Sequence, residues 1–559
     1  MLLTGAEILV KSLIDEGVDT IFGYPGGSVL NIYDELYKYK DSIKHILTCH
    51  EQGASHAADG YARATGKVGV CLATSGPGAT NLVTGIATAY MDSVPMVAIT
   101  GNVPKSLLGK DSFQEVDIAG ITMPITKHNY IVKDINDLQK IINKAFYIAK
   151  EGRPGPVLID IPKDITAEKA IYKSIEPAIV ERKTKHITTK SLEELANYIN
   201  ECSRPLIYAG GGVQISEATE SLVQLAEKIN APVSTTLMAM GVIPGEHYLN
   251  MGMIGMHGSK ASNILATKCD LIITLGARFS DRVVSNQNHI RNAKIVQIEV
   301  DPAEINKNIK VDSCIIGDVN EALVKLLPLL NEKRNEEWLM TAQELKEQRV
   351  NDSSIEGLLT PEFLFEKLNE LNSNNEFIIT TEVGQHQMWA AQYFNYKKPR
   401  TFISSGGLGT MGYGLGAAIG VNVGKPNNIV INIAGDGSFG MNCNEFATAV
   451  KYNIPIKIII INNNALGMVR QWQTFFYEER YSHTTLDRAT DFVKLAEAFG
   501  GTGFRVHRKE ELENVLTQTL NINGPVIIDY VIESNKKVFP MVAPGAPINQ
   551  IICEEDLNN

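Results

Sequence analysis

Cysteine is scarce in this chain: seven are scattered through 559 residues, and none forms a C-x-x-C pair. That spacing excludes a disulfide framework and a zinc site built on cysteine pairs, and it makes a reducing cytoplasm the expected compartment. Basic charge is short as well. A net charge of −11 and the lack of any lysine- or arginine-rich stripe argue against nucleic acid as a partner. Apolar runs stay brief; the longest, such as IKIIII, suit buried strands and fall far below a membrane span, so no membrane partner is expected. Room for a leader is lacking too. Thr4 and Glu7 have capping-box spacing ahead of an amphipathic helix, so folded structure is expected almost from the first residue, with no signal or transit peptide.

What the chain does have is alternation. Apolar strand-like runs and helical segments follow one another, which predicts an α/β protein of doubly wound parallel-sheet domains. Three are expected. Residues 1–180 carry VDTIF, KHILTC, VGVCLAT, PMVAITG and GPVLIDI; residues 190–335 carry PLIYAG, APVSTT, CDLIITLG, KIVQIEV and SCIIG. Residues 360–535 carry EFIITTE, NIVINIA, IKIIII and PVIIDYV, and a tail, 536–559, follows. The polar segment EPAIVERKTKHITTKS and the charged segment NEKRNEEWLMTAQELKEQRVNDSS join the domains.

The most informative stretch is Gly435-Asp436-Gly437 after IVINIA, with Asn462-Asn463 after IKIIII some two dozen residues later. The interval suits a βαβ crossover, which brings the carboxyl ends of both strands to one crevice. The Asp436 carboxylate and the Asn463 side-chain carbonyl would converge there as hard oxygen ligands for Mg²⁺, with glycines admitting a diphosphate. Either piece alone reads as a turn; both together, at the ends of consecutive buried strands and at this interval, favour the anchor. Nearby, Gly407, Gly409 and Gly412 satisfy G-x-G-x-x-G, but Asp436 opens its own turn with the asparagines downstream, which disfavours a dinucleotide loop. Glu51, between KHILTC and a small-residue helix, reads either as a first-turn acid or as a buried proton donor. Gly210-Gly211-Gly212, after PLIYAG, reads as a tight βα turn or as a diphosphate cradle. Trp472 reads as a core aromatic or as a pocket wall.

G-D-G, two dozen residues and N-N together resemble the motif of thiamine diphosphate-dependent enzymes. The resemblance extends along the chain to the acetohydroxyacid (acetolactate) synthases. It is carried by GYPGG (23–27), CHEQGASHAADGYARATG (49–66), SGPGATN (75–81), SFQEVDI (112–118), ITKHNY (125–130), GRPGPVLIDIPKD (152–164), GGLGTMGYGLGAA (406–418), GDGSFGMN (435–442) and NNNALGMVRQWQ (462–473).

The resemblance implies that Glu51 activates thiamine diphosphate. It implies that Val383, Gly384, Gln385, His386, Gly409, Met411, Gly437, Ser438, Leu466, Gly467 and Met468 line the cofactor, Met411 as an apolar buttress. Mg²⁺ would take Asp436, Asn463 and the main-chain carbonyl of Ala465. FAD is implied in the middle domain, at Arg153, Gly210, Gly211, Gly212, Thr236, Leu237, Met238, Met256, His257, Gly276, Arg278, Asp281, Arg282, Asp301, Gly317 and Asp318. Asp301 and Gly317-Asp318 are expected at strand ends. The FAD motif departs from the family at Ser280, where many relatives have aspartate. Gln114, Lys127, Trp472 and Arg278 are implied at the substrate.

The implied reaction decarboxylates pyruvate and joins the remnant to pyruvate or 2-oxobutanoate, the first common step toward valine, leucine and isoleucine. A homodimer or homotetramer with sites at the subunit interface follows from the family, as does a separate regulatory small subunit. The rival readings are a FAD-free catabolic acetolactate synthase and a pyruvate oxidase. Phe113-Gln114 disfavours a simple decarboxylase, and the presence of Glu51 disfavours a glyoxylate carboligase.

Overall fold

A computed structural model describes residues 1–177, 179–283, 293–348, 358–554 and 556. Residue 178 of the polar linker and residues 349–354 of the charged connector lie outside the described residues. The Thr4 capping box forms as its spacing predicts. Glu7 N–H donates to Thr4 Oγ1 (3.2 Å) and Thr4 N–H to Glu7 Oε2 (2.8 Å), opening the helix Gly5–Asp15.

Three six-stranded sheets follow, every strand pair in them parallel. The strands are apolar on both faces because both are covered. Val70 and Leu72 enter one core of the first domain, Cys71 and Ala73 the opposite one. Ile207 and Ala209 are divided in the same way from Leu206 and Tyr208, and Ile431 and Ile433 from Val430 and Ala434. A two-residue period split between two cores makes a doubly wound sheet.

In the first sheet the order is Lys44–Leu47, Thr20–Gly23, Gly69–Ala73, Met96–Asn102, Pro156–Pro162, His128–Ile131. In the third it is Phe402–Ile403, Phe377–Thr381, Ile429–Gly435, Lys457–Asn462, Val526–Val531, Thr502–Val506. Counted along each domain, both read 2-1-3-4-6-5. The middle sheet runs Asn250–Met253, Val233–Thr235, Pro205–Ala209, Leu271–Leu275, Lys294–Glu299, Ser313–Ile316, or 3-2-1-4-5-6, the nucleotide-binding order. Four of these strands, His128–Ile131, Asn250–Met253, Phe402–Ile403 and Thr502–Val506, are absent from the segments expected above.

The charged connector contains a helix, Glu336–Glu347, whose Trp338, Ala342 and Leu345 form an apolar stripe. The stripe packs into the middle domain, where Trp338 Nε1 donates to the Pro205 carbonyl (2.8 Å). First and third domains meet through the helices Glu51–Thr65 and Gly414–Gly424. Among the described residues no helix is long and apolar enough to cross a membrane.

Candidate active site

The order of the third sheet puts a switch point between Phe377–Thr381 and Ile429–Gly435, where the following loops part and leave a crevice. A cleft of about 470 Å³ opens there. Its walls bring together Val383, Gly384, Gln385, His386, Met411, Asp436, Gly437, Ser438, Asn463, Ala465, Leu466, Gly467 and Met468. Gly409 lies on the adjoining loop at φ +69°, a conformation that favours glycine.

Gly435 pairs with Ile461 in the parallel ladder, so Asp436 and Asn463 follow neighbouring strands at the same carboxyl end of the sheet. Burial pushes the Asp436 carboxyl up to about 6. Asn463 Oδ1 accepts from Ala465 N–H (3.1 Å) and its Nδ2 donates to Gln385 Oε1 (3.1 Å). Asn462 is spent on structure, donating to Asp529 Oδ1 (2.9 Å). Two glycines bring side chains close here: a Cβ on Gly467 would lie 1.9 Å from Gln385 Oε1, and one on Gly437 2.6 Å from Leu466 Cδ2, so either substitution would displace those side chains. A desolvated carboxylate and a side-chain amide oxygen suit a hard cation. His386, kept neutral by burial with its value lowered to about 3, has its Nε2 without a partner among the described residues, as expected where a polar cofactor belongs.

Glu382, which nothing in the sequence singled out, ties three walls of this cleft. Its Oε1 accepts from Leu415 N–H (3.0 Å) and its Oε2 from the Ser438 hydroxyl (2.9 Å), while Ser438 Oγ accepts from Gly412 N–H (3.1 Å). Trp472 rides on the helix Gly467–Phe476 that leaves the cleft. It is half-buried and meets Phe476 edge-on at 5.8 Å, so it is not a core aromatic.

At the carboxyl edge of the first sheet, Glu51 opens the helix Glu51–Thr65 behind the N-cap His50. Its buried carboxyl accepts from Asn81 Nδ2 through Oε2 (2.9 Å), and Oε1 faces Gly78, where a Cβ would stand 3.2 Å away. Gln114 (φ +60°) lies over Gly76, where a Cβ would come 2.8 Å from its carbonyl. Glu51, the SGPG turn and Gln114 thus come together, but within one chain Glu51 does not line the Asp436 cleft. Lys127 goes elsewhere. Its Nζ donates to the carbonyls of Ile148 and Glu151 at the end of the helix Ile135–Lys150, and burial lowers it to about 8. It shares a second cleft with Arg153, Lys183 and Asp301.

In the middle domain the switch point lies between Pro205–Ala209 and Leu271–Leu275, and Gly210 and Gly212 pack against Gly276. Gly210 N–H donates to Leu275 O and Gly212 N–H to Gly276 O (2.9 Å each), so two of the three amides of this turn are used internally. Thr236 Oγ1 and His257 Nδ1 are buried without partners among the described residues, which fits a polar group lodged beside them. Leu237 and Met238 form a short 3₁₀ turn, and Met256 N–H donates to the Arg282 carbonyl (2.8 Å). Arg282 and Asp281 are exposed, while Arg278 Nη2 donates to Met91 O of the first domain (2.8 Å).

Asp301 does not end a strand. It caps the turn Pro302–Glu304 and faces Arg153 at 3.5 Å. The acid at the strand end is Glu299, which accepts from the amides of Val300 and Asp301 and which burial pushes up to about 7. Two acids two residues apart in IEVD hid which one is buried. Gly317 follows the strand Ser313–Ile316, and Asp318 caps the helix Val319–Leu326 and pairs with Arg182 (3.3 Å).

Comparison with known proteins agrees with this layout. Residues 3–121, 192–326 and 382–530 match, in turn, the N-terminal TPP binding domain, the central domain and the C-terminal TPP binding domain of thiamine pyrophosphate enzymes. An acetolactate synthase large subunit of Porphyra purpurea is 48% identical over 564 residues, covering 98% of this chain and 95% of that protein. A probable acetolactate synthase large subunit of Methanocaldococcus jannaschii is 48% identical over 565 residues (98% and 95%), and an acetolactate synthase of Mycobacterium leprae 47% over 567 (98% and 90%). The chain belongs to the acetolactate synthase large-subunit family of thiamine pyrophosphate enzymes.

Proposed function

We propose that this enzyme is an acetolactate synthase. It decarboxylates pyruvate and joins the two-carbon remnant to a second 2-oxo acid, pyruvate or 2-oxobutanoate, in the pathway to branched-chain amino acids. The observation that carries this is the Asp436–Asn463 cleft at the switch point of a chain related over nearly its whole length to acetolactate synthases.

Thiamine diphosphate, when bound, supplies the electron sink that decarboxylation requires. Asp436 and Asn463, with the Ala465 carbonyl, would hold Mg²⁺ for the diphosphate, and Glu382 fixes Ser438 and the Gly412 turn at the same cleft. Glu51 keeps Oε2 on Asn81, which leaves Oε1 as the oxygen that carries and exchanges the proton. Met411 and Trp472 present apolar surface to the reacting end. Trp472 favours the larger acceptor by about 1–3 kcal/mol, the worth of one methylene.

FAD belongs in the middle domain beside Gly211, Thr236 and His257, and it has no redox step to perform in a reaction without net electron transfer. The active site is completed by a second copy of the chain. In support, Glu51 lies outside the cleft of its own chain although both halves of the chemistry are present.

The test is a competition assay. Pyruvate and 2-oxobutanoate supplied together with thiamine diphosphate and Mg²⁺ should give both acetohydroxy acids; absence of any new carbon–carbon bond would refute the proposal. Glu51→Gln should keep fold and cofactors yet lose turnover by a factor on the order of a hundred or more. Full activity in that variant would remove Glu51 from the mechanism.

A further inference from the structure

Glu445 is fully buried, and none of the chemistry above uses it. It belongs to the third domain, downstream of Asp436 in the same loop-and-helix segment, yet its carboxylate reaches across to the first domain. Both oxygens accept from Cys49 N–H (3.1 Å each), and Oε1 also accepts from His50 N–H at 2.8 Å. The Thr448 hydroxyl donates to Oε2 at 2.7 Å and holds the group in place. Gly53 makes the approach possible, because a Cβ there would stand 2.3 Å from Glu445 Oε1.

These amides lead directly into the helix that Glu51 opens. The amino end of a helix attracts a carboxylate. Glu51, at its first position, would be drawn back onto its own turn if that end were vacant. Glu445 takes the two amides just ahead of it, and the N-cap His50 takes the Gln52 N–H of its first turn through Nδ1 (3.0 Å). The Glu51 carboxyl is found on the other side, with Oε2 on Asn81 and Oε1 toward Gly78. We propose that Glu445 is a positioning residue for Glu51: it fills the turn before the helix from the third domain and so holds the Glu51 carboxyl on the Gly78–Asn81 side, where its proton can be exchanged. The proposal rests on the role assigned to Glu51 above.

The holoenzyme, with thiamine diphosphate and Mg²⁺, supplies the test. In Glu445→Gln the charge is lost and an NH2 group replaces one of the two accepting oxygens, so the Cys49 and His50 N–H groups and the Thr448 hydroxyl are left with a single acceptor. Three quantities are compared with wild type: the cofactor dissociation constant, hydrogen–deuterium exchange of the cofactor C2 proton by quench and NMR, and amide exchange in the peptide around residues 48–53 of the cofactor-free protein. The expected result is a dissociation constant within about twofold, amide exchange accelerated at 48–53, and C2 exchange slowed on the order of tenfold or more, as for loss of an aligned proton donor. C2 exchange at the wild-type rate would overturn the proposal.

Should Glu445→Gln fail to fold, Gly53→Ala displaces the same carboxylate without removing its charge, and the same slowing is expected. Glu51→Gln in parallel separates the two ideas. Normal C2 exchange in Glu51→Gln defeats the assignment of Glu51 itself, whereas slow exchange there with normal exchange in Glu445→Gln defeats only the positioning role.

Discussion

Arg63 donates from Nε to Asp59 (2.6 Å), from Nη2 to Asp92 (2.9 Å) and from Nη1 to the Ser404 carbonyl (3.0 Å), and the whole group is buried. Asp92 in turn accepts from the amides of Gly406 (3.0 Å) and Gly407 (2.7 Å), at the start of the loop that carries Gly409 and Met411. Removing the cation strands two carboxylates without water, which costs about 3–5 kcal/mol. Arg63→Gln is therefore expected to unfold at distinctly lower urea than wild type and to bind thiamine diphosphate more weakly; an unchanged midpoint would contradict this account. Such residues mark the limit of what the sequence discloses. Asp436 and Asn463 were legible because their strands and spacing are local features. The place of Glu51 beside the SGPG turn was legible through its motif. Glu299, Glu382 and Glu445 were not, because a lone acid in a string of letters shows neither its burial nor the amides it will meet.

At the scale of elements, the helices Glu51–Thr65 and Gly414–Gly424 cross closely enough that backbone touches backbone. A Cβ on Gly60 would lie 2.3 Å from the Ala417 carbonyl oxygen, and one on Gly420 1.8 Å from that of Ala57. Ala57 and Gly60 thus meet Ala417 and Gly420 reciprocally, the same i, i+3 pair on each helix. No flexible side chain is available to yield, so overpacking should cost at least the usual 1–3 kcal/mol. Gly420→Val is expected to separate the two domains locally, seen as faster amide exchange in residues 51–65 with the middle domain unaffected. Protection equal to wild type would show that the crossing tolerates a larger distance. The central strands were readable because burial on both faces makes them continuous apolar runs. The strands that no apolar run marks, such as HNYI, NMGM and TGFRV, are sheet edges, where one side needs no ladder partner and polar residues or glycine are admitted.

Across the whole molecule, the first and third domains share one strand order, and the crossing helices occupy equivalent places in it, each following the second strand. Glu51 precedes Ala57 by the same six residues that separate Met411 from Ala417. Glu51 of one domain and Met411 of the other therefore stand at matching positions of a duplicated frame, which neither motif discloses alone. The same burial that builds this frame sets its response to acid. Neutral imidazoles are enclosed in every domain: His45 and His257 are lowered to about 4, and His56 and His386 to about 3, in each case chiefly by desolvation. A histidine near 6.5 when unfolded and lower when folded takes up its proton first in the unfolded chain. Its contribution to stability is intact above 6.5 and is lost as pH falls toward the folded value. His56 is the cleanest probe, since its ring packs edge-on against Tyr413 at 5.3 Å and a phenyl ring can keep that contact. Between pH 7.5 and 5 the wild type should lose about 2 kcal/mol more than His56→Phe, from roughly 1.5 pH units of unequal protonation at about 1.4 kcal/mol each. The buried carboxyls Asp160 and Glu299, raised to about 6 and about 7, act in the opposite direction, but they are common to both proteins and cancel in the comparison. Urea unfolding at the two pH values decides the matter: parallel losses in the two proteins would mean that His56 is not held neutral at the helix crossing.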